Sequence, residues 1–313
     1  MTGSTIDVLT MGRAGVDIYP LQVGVTLREV ETFGKYLGGS PANVAVAAAK
    51  HGRSAALISR TGADSFGAFV HDALREYHVD DRFVTPVEGR QTPVTFCEIR
   101  PPEDFPIFFY RHDPPDLAIF PDELDGAAIA EAQVFWATVT GLSQEPSRAA
   151  HFAAWQARGR RPLTILDLDW RPVLWPDPAE APDLVRRALA HVTVAVGNID
   201  EVEVPTEARD PHVAAKALLD MGVEIAVVKQ GSKGVLGMTA TETVTVPPVH
   251  VDVVNGIGAG DAFGGALCHG LLSGWPLERT LRFANAAGAI VAGRLACAPA
   301  MPTSAEVEGL LDG

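Results

Sequence analysis

Six short runs of apolar and β-branched residues, at 6–11, 55–59, 134–137, 163–168, 192–196 and 225–229, alternate with stretches of helical periodicity near 41–51, 66–77, 146–158, 182–190 and 210–221. Strands that are apolar along their whole length need cover on both faces, and intervening helices supply the crossovers between parallel neighbours. The expected fold class is α/β, a mainly parallel central sheet flanked by helices on both faces. Two regions, 13–37 and 83–112, break the rhythm with β-prone pieces at 23–27, 92–99 and 107–110 and no helix between them. They are expected to pair into a small β-sheet, a lid over one edge of a single domain spanning 1–313. The helix at 41–51 is well punctuated, with Ser40 as its N-cap, Pro41 in first place and Gly52 as the left-handed residue after its end. Near the C-terminus, 259–273 and 277–296 read as helices rich in small residues. Such helices can approach each other, or a flat ligand, closely.

Charge narrows the function classes. Thirty-nine acidic residues face twenty-five basic ones, a net charge of -14, and such a surface repels nucleic acid and anionic membranes. The longest basic cluster, Arg158, Arg160 and Arg161, reads as the end of a surface helix. Cys97, Cys268 and Cys297 form no C-x-x-C and suit buried thiols in a reducing compartment. No apolar stretch reaches the roughly 18 residues of a membrane span, and no basic-then-apolar leader opens the chain, so a cytoplasmic location is expected. His51, His71, His78, His112 and His212 are scattered and form no metal-ligand pattern.

The sharpest chemical element is Asn255-Gly256-Ile257-Gly258-Ala259-Gly260-Asp261-Ala262-Phe263, which follows a β-like segment and opens a helix. Glycines let successive N–H groups point at one spot, and the helix N-terminus adds partial positive charge, making an anion cradle. Asp261, in the first turn, is placed to accept a proton from an attacking hydroxyl beside that cradle. A glycine-rich turn with a helix-favouring Asp would read the same way. A second element, Gly38-Gly39-Ser40-Pro41-Ala42-Asn43, allows close approach to the backbone and offers a donor and an acceptor at Asn43, or is simply a tight turn. No G-x-x-x-x-G-K-[ST] loop occurs, and the first strand is not followed by G-x-G-x-x-G, which argues against a P-loop kinase and a dinucleotide-dependent oxidoreductase.

With Gly12-x4-Asp17, Gly62-x-Asp64-x-x-Gly67, Asn198-x-x-Glu201 and Lys229-x-Gly231-x-x-Gly234, these two elements resemble the PfkB (ribokinase-like) family of carbohydrate kinases over essentially the whole chain. The resemblance implies a ribokinase-like fold and ATP-dependent phosphorylation of a sugar hydroxyl. It makes Asp261 the catalytic base and the amides of Gly258, Ala259 and Gly260 the anion hole. Asp17, Gly39 and Asn43 would hold sugar hydroxyls. Asn198 and Glu201 would position Mg2+ and the phosphates of ATP, Glu201 acting on the metal indirectly. Gly231, Gly234 and Asn285 would border the nucleotide; Lys229 is either a nucleotide contact or a strand-end lysine reaching solvent. Monovalent-cation activation and a homodimer through the lid are open in such a family. One departure stands out: Asn255-Gly256-Ile257 replaces the usual Asp-Thr-Thr before Gly-Ala-Gly-Asp.

Several segments resemble one subgroup, the 5-dehydro-2-deoxygluconokinases: 12–17, 33–43, Tyr110-Arg111-His112-Asp113, Leu168-Asp169-Trp170-Arg171-Pro172 and Ala300-Met301-Pro302-Thr303. A sugar acid needs a carboxylate partner, and a bidentate arginine is the usual one. Arg111 and Arg171 are the expected partners, with Arg13 a third candidate and Lys35 assisting from the lid; each arginine reads equally as a surface ion pair. A 2-keto-3-deoxygluconate kinase or a fructokinase-like enzyme would use the same Asp261 chemistry. A non-catalytic sugar- or nucleotide-binding regulator could share the fold, although such a protein has no need to keep the base together with a complete cradle.

Overall fold

The computed structural model describes residues 5–313, so the first residues of the stretch read above for a leader lie outside the described residues. The strands, in chain order, are β1 (Val8–Met11), β2 (Gly15–Pro20), β3 (Phe33–Gly38), β4 (Ala55–Gly62), β5 (Val79–Asp80), β6 (Val84–Val87), β7 (Val94–Cys97), β8 (Ile107–Tyr110), β9 (Val134–Thr138), β10 (Thr164–Asp167), β11 (Val194–Asn198), β12 (Ile225–Lys229), β13 (Val235–Met238) and β14 (Thr243–Val246). The large sheet runs β14-β13-β12-β11-β10-β9-β1-β4-β5, with β6 paired to the later half of β4. From β12 to β5 each pairing is parallel, and β13 and β14 fold back antiparallel at the edge.

The helices are α1 (Ser40–Lys50), α2 (Ser65–Glu76), α3 (Gly126–Glu131), α4 (Ser147–Arg158), α5 (Ala181–Leu189), α6 (Ile199–Thr206), α7 (Pro211–Asp220), α8 (Ala259–Leu272), α9 (Leu277–Ala292) and α10 (Ser304–Asp312). Strand alternation divides the core between the two faces. Leu9, Met11, Phe135 and Leu166 pack with Trp155 of α4, Leu184 of α5 and Leu218 of α7. Their neighbours Val8, Trp136 and Ile165 pack with Leu267 of α8 and Phe283 of α9. The six expected strands and the five expected helices of the α/β rhythm are all present, as are the two C-terminal helices.

A separate four-stranded sheet, in the order β3-β2-β7-β8, is built from the two irregular regions. Three local expectations are corrected. Residues 23–27 turn rather than extend: the Gln22 side chain accepts from the Glu31 and Thr32 amides, and the Gly24 amide donates to Ile99. Residues Val84–Val87 pair with the large sheet instead of the small one. The N-cap of α1 is Gly39, at φ 97°, and Ser40 is already helical; Gly52, at φ 80°, is the left-handed residue foreseen after its end.

Arg158 is also not a surface cation. It is 2% exposed, and its guanidinium donates to the carbonyls of Ile129, Gln133 and Pro162, tying the end of α3 to the loop before β10. All three thiols are buried, as foreseen. Among the described residues no helix is long and apolar enough to cross a membrane.

Candidate active site

In an open parallel sheet, ligands bind outside the carboxyl ends of the strands. Here Arg13 follows β1, Asp167 ends β10 with Asp169 just beyond it, Asn198 ends β11 and Lys229 ends β12. They line one cavity of about 400 Å³ together with Ser40 and Asn43 at the start of α1 and Asp261 at the start of α8. The inner face of the small sheet supplies Asp17, Tyr19, Thr95, Cys97, Ile107 and Phe109 to the same cavity.

A second cavity of about 600 Å³ adjoins it, walled by Val235, Val249, Val251, Phe263, Ala289 and Ala292 and bordered by Gly231, Gly234 and Asn285. Lys229, Gly256, Gly260, Glu103 and Phe105 line both cavities. The Gly258–Asp261 turn therefore stands where the two spaces meet.

Asp261 is half-buried at the cavity, and desolvation there pushes its carboxyl up to about 6. Ser40 and Asn43 side chains and the Arg13 charge work against that rise, while Asp169 adds to it. Asn43 Nδ2 donates to Asp261 Oδ2 at 2.9 Å and fixes the carboxylate's orientation. Gly258, the N-cap of α8 at φ 88°, holds a backbone that an L side chain resists, and a Cβ there would collide with the Cys297 sulfur. Cys297 Sγ donates in turn to the Ile257 carbonyl at 3.3 Å and lies 2.8 Å from the Tyr19 hydroxyl. Tyr19 donates to Asp17 Oδ2 at 3.0 Å, so the glycine turn and Asp17 share one buried chain of contacts. Burial lifts Asp17 to about 7 against the pull of Tyr19 and Arg13.

A charged group lies opposite. Arg13 Nη2 donates to Asp169 Oδ2 at 2.7 Å and Arg171 Nε to Asp169 Oδ1 at 3.1 Å. Burial opposes the Asp169 charge, yet the two guanidinium groups hold its carboxyl well below the usual range. Burial likewise disfavours the Lys229 ammonium, but Glu201, Asp167 and Asp169 around it keep it charged, with Glu201 Oε2 3.8 Å from Nζ. Asn198 and Glu201 cap α6 reciprocally, at 2.6 and 2.9 Å, which locks both side chains at the cavity edge. Among the described residues, Arg13 Nε and Asn43 Oδ1 are buried atoms of the cavity residues with no hydrogen-bond partner.

Most residues expected from the sequence converge here, and two do not. Arg111 turns away from the cavity and makes a bidentate pair with Asp116, both bonds 2.6 Å, the two side chains 6% and 1% exposed. It is a structural ion pair that fastens the end of β8 to the turn at Pro115–Ala118. Arg111→Ala leaves Asp116 buried and unpaired, so urea unfolding should show a loss of about 3–5 kcal/mol with substrate selectivity unaltered. Lys35 pairs across the strands with Ile18, on the face opposite Asp17, and its ammonium sits 3.9 Å above the Phe69 ring of α2. Asp167, Tyr19, Cys297 and Phe105 are cavity residues that the motifs did not point to, and Ser40, inside the second glycine element, was read only as a helix cap. Asp167 alone had a readable position, an acidic residue at the end of an apolar strand.

The comparisons with known proteins agree with this architecture. The pattern of the pfkB family carbohydrate kinases matches residues 5–304. A protein of Listeria monocytogenes serotype 4a (strain HCC23) named 5-dehydro-2-deoxygluconokinase is 33% identical over 310 residues, 97% of this chain and 95% of its own. Its namesake in Shouchella clausii (strain KSM-K16) is 31% identical over 99% of this chain and 97% of its own. Among solved structures, a fructokinase with bound ATP from Xylella fastidiosa superposes with a TM-score of 0.85 at 24% identity, covering 98% of both chains. An aminoimidazole riboside kinase from Salmonella enterica, complexed with its riboside and an ATP analogue, gives 0.80 at 25% over 98% of this chain and 99% of that one. The fold is ribokinase-like, and the chain belongs to the pfkB family of carbohydrate kinases.

Proposed function

We propose that the protein transfers the γ-phosphoryl group of ATP to a hydroxyl of a sugar acid, 5-dehydro-2-deoxy-D-gluconate, giving the 6-phosphate and ADP. The observation that carries the sugar-acid reading is the convergence of Arg13 and Arg171 on buried Asp169 in the cavity that holds Asp261. One carboxylate neutralises one of two guanidinium groups, and the Arg171 side chain is 43% exposed, so positive charge at this corner of the cavity is left for an acidic ligand. Curated relatives at 31–33% identity carry the same substrate in their names.

In this reading the acceptor occupies the first cavity, its hydroxyls held by Asp17, Asn43 and the Gly39 backbone. ATP occupies the second, its base among the apolar walls near Gly231, Gly234 and Asn285. Its phosphates reach the amides of Gly258, Ala259 and Gly260. Asp261 takes the proton of the attacking hydroxyl, Asn43 aims the carboxylate, and Lys229 faces the phosphates from the end of β12. Among the described residues no three His, Cys, Asp or Glu side chains group closely enough to hold a metal ion by themselves, so a divalent cation here would take most of its ligands from the phosphates and water. Glu201 and Asp167 would hold Mg2+ on the phosphates, where the ion neutralises polyphosphate charge.

The small sheet acts as a lid. Phe33, Phe108 and Tyr110, at 40%, 40% and 67% exposure, leave its outer side apolar, and a second copy of the chain covers it in a homodimer.

Arg171→Ala tests the sugar-acid reading. Apparent affinity for the sugar acid should fall by about 10- to 150-fold, the equivalent of about 1.5–3 kcal/mol for one charge-assisted contact. Steady-state kinetics on an uncharged sugar of the same skeleton should change little. Equal losses on both would remove the carboxylate contact from the account.

A further inference from the structure

We infer that Phe105 is a positioning residue whose ring, seated on Gly256, divides the acceptor cavity from the nucleotide cavity and keeps water off the phosphoryl-transfer path. This inference rests on the kinase reaction proposed above. Phe105 lies in the loop between β7 and β8, is half-buried, and lines both cavities, as does Gly256. A Cβ built on Gly256 would lie 3.1 and 3.3 Å from two carbons of the Phe105 ring, so the bare backbone at 256 is what allows the ring its seat. The unusual Asn255-Gly256-Ile257 segment thus has a physical counterpart in the hairpin above it.

Both partners are braced. Asn255 is fully buried; its Oδ1 accepts from the Ile257 amide at 3.0 Å and its Nδ2 donates to the Leu295 carbonyl at 2.7 Å, which fixes the turn. On the hairpin, Arg100 pairs with Glu98 at 2.7 Å and Asp104 at 2.9 Å, and Glu98 accepts from the Leu27 amide at 2.8 Å. Phe105 and Ile257 pack against the same buried cluster as Tyr19 and Cys297. The ring is therefore held at the junction by its surroundings.

The chemistry gives this position a consequence. In transfer, the acceptor oxygen bonds to the γ-phosphorus, the bond to the β,γ-bridging oxygen breaks, ADP departs and the hydroxyl proton goes to Asp261. Water in the acceptor's place undergoes the same exchange and yields ADP and inorganic phosphate. Asp261 cannot tell the two nucleophiles apart, so excluding water falls to whatever closes the junction.

The experiment compares inorganic phosphate with phosphorylated sugar acid formed by the full-length enzyme with Mg-ATP, and ADP release without acceptor. Phe105→Ala should raise the ratio of hydrolysis to transfer by about tenfold or more, a tenfold change corresponding to about 1.4 kcal/mol. Phe105→Leu, which restores apolar bulk, should return most of the wild-type ratio. Gly256→Ala should shift the ratio the same way, and combining it with Phe105→Ala should add little to Phe105→Ala alone. A merely structural role would slow both reactions together; an unchanged ratio in folded Phe105→Ala protein overturns the inference. Should the wild type phosphorylate no acceptor offered, the substrate reading fails separately. The acceptor-free rate then decides Phe105, a rise in the Ala variant supporting its role and no rise refuting it.

Discussion

Asp261→Asn lowers turnover by about 10²–10⁴-fold or more, the range for a positioned general base, while ATP binding stays close to wild type. The substitution keeps the shape of the group that Asn43 holds and leaves the glycine cradle intact. Single-turnover kinetics read the chemical step and calorimetry reads the nucleotide affinity; near-normal turnover would remove Asp261 from the role of base. The pH dependence follows from burial. With its carboxyl lifted to about 6, Asp261 becomes a competent base as pH rises through that value, and kcat/KM should climb between about 5 and 7. Asp17, lifted to about 7, extends the same limb.

Stability runs the other way. A carboxyl whose folded pKa lies above its unfolded value favours the folded state below about 4, and that contribution is lost as pH rises through about 6. Asp261→Asn should therefore unfold like wild type at acid pH and be more stable above neutrality, by at most about 3 kcal/mol for a two-unit shift.

Gly258→Ala should be the next most damaging change, cutting turnover by about 10²-fold or more, as loss of an oxyanion-type donor does. The methyl group meets the Cys297 sulfur, and the left-handed backbone costs an L residue about 1–2 kcal/mol more. Relief can come only from turning the amides that open α8, and those amides form the proposed anion hole. Adding Cys297→Ala removes the sulfur but neither the Cys297 Cβ nor the backbone strain, so stability should recover partly and turnover little. Urea unfolding and kcat of the single and double variants check this. Full recovery of turnover in the double variant would show that the φ of residue 258 does not matter to catalysis.

The sequence carried the fold well because the strands of a parallel sheet are apolar throughout and the helices between them are regular. The edge pieces were harder to read. Val235–Met238 and Thr243–Val246 are short and their pairing is antiparallel, so they lack the crossover rhythm. Residues 23–27 are β-prone, yet the side-chain bonds of Gln22 override that propensity.

At the site, the glycine elements point to Asp261 and Asn43 and a strand end to Lys229, whereas Asp17, Asn198 and Glu201 were reached only through the family resemblance. Arg111 and Lys35 were misplaced for different reasons. The partner of Arg111, Asp116, lies on a turn whose direction no local pattern gives. The face of Lys35 depends on the register of β2 against β3, and a slip of one residue would reverse it. Phe105, Tyr19 and Cys297 reach the site from chain positions far from the glycine turn, and only the folded chain brings them together.

The measurement that bears most directly on the account is ADP release with Mg-ATP across 5-dehydro-2-deoxygluconate, 2-keto-3-deoxygluconate, fructose, ribose and no acceptor, with the phosphorylated product identified. Activity dominated by 5-dehydro-2-deoxygluconate, a 6-phosphate product, and loss of that activity in Asp261→Asn are the expected results. Preference for a neutral sugar, or equal rates on charged and uncharged acceptors, would contradict the account.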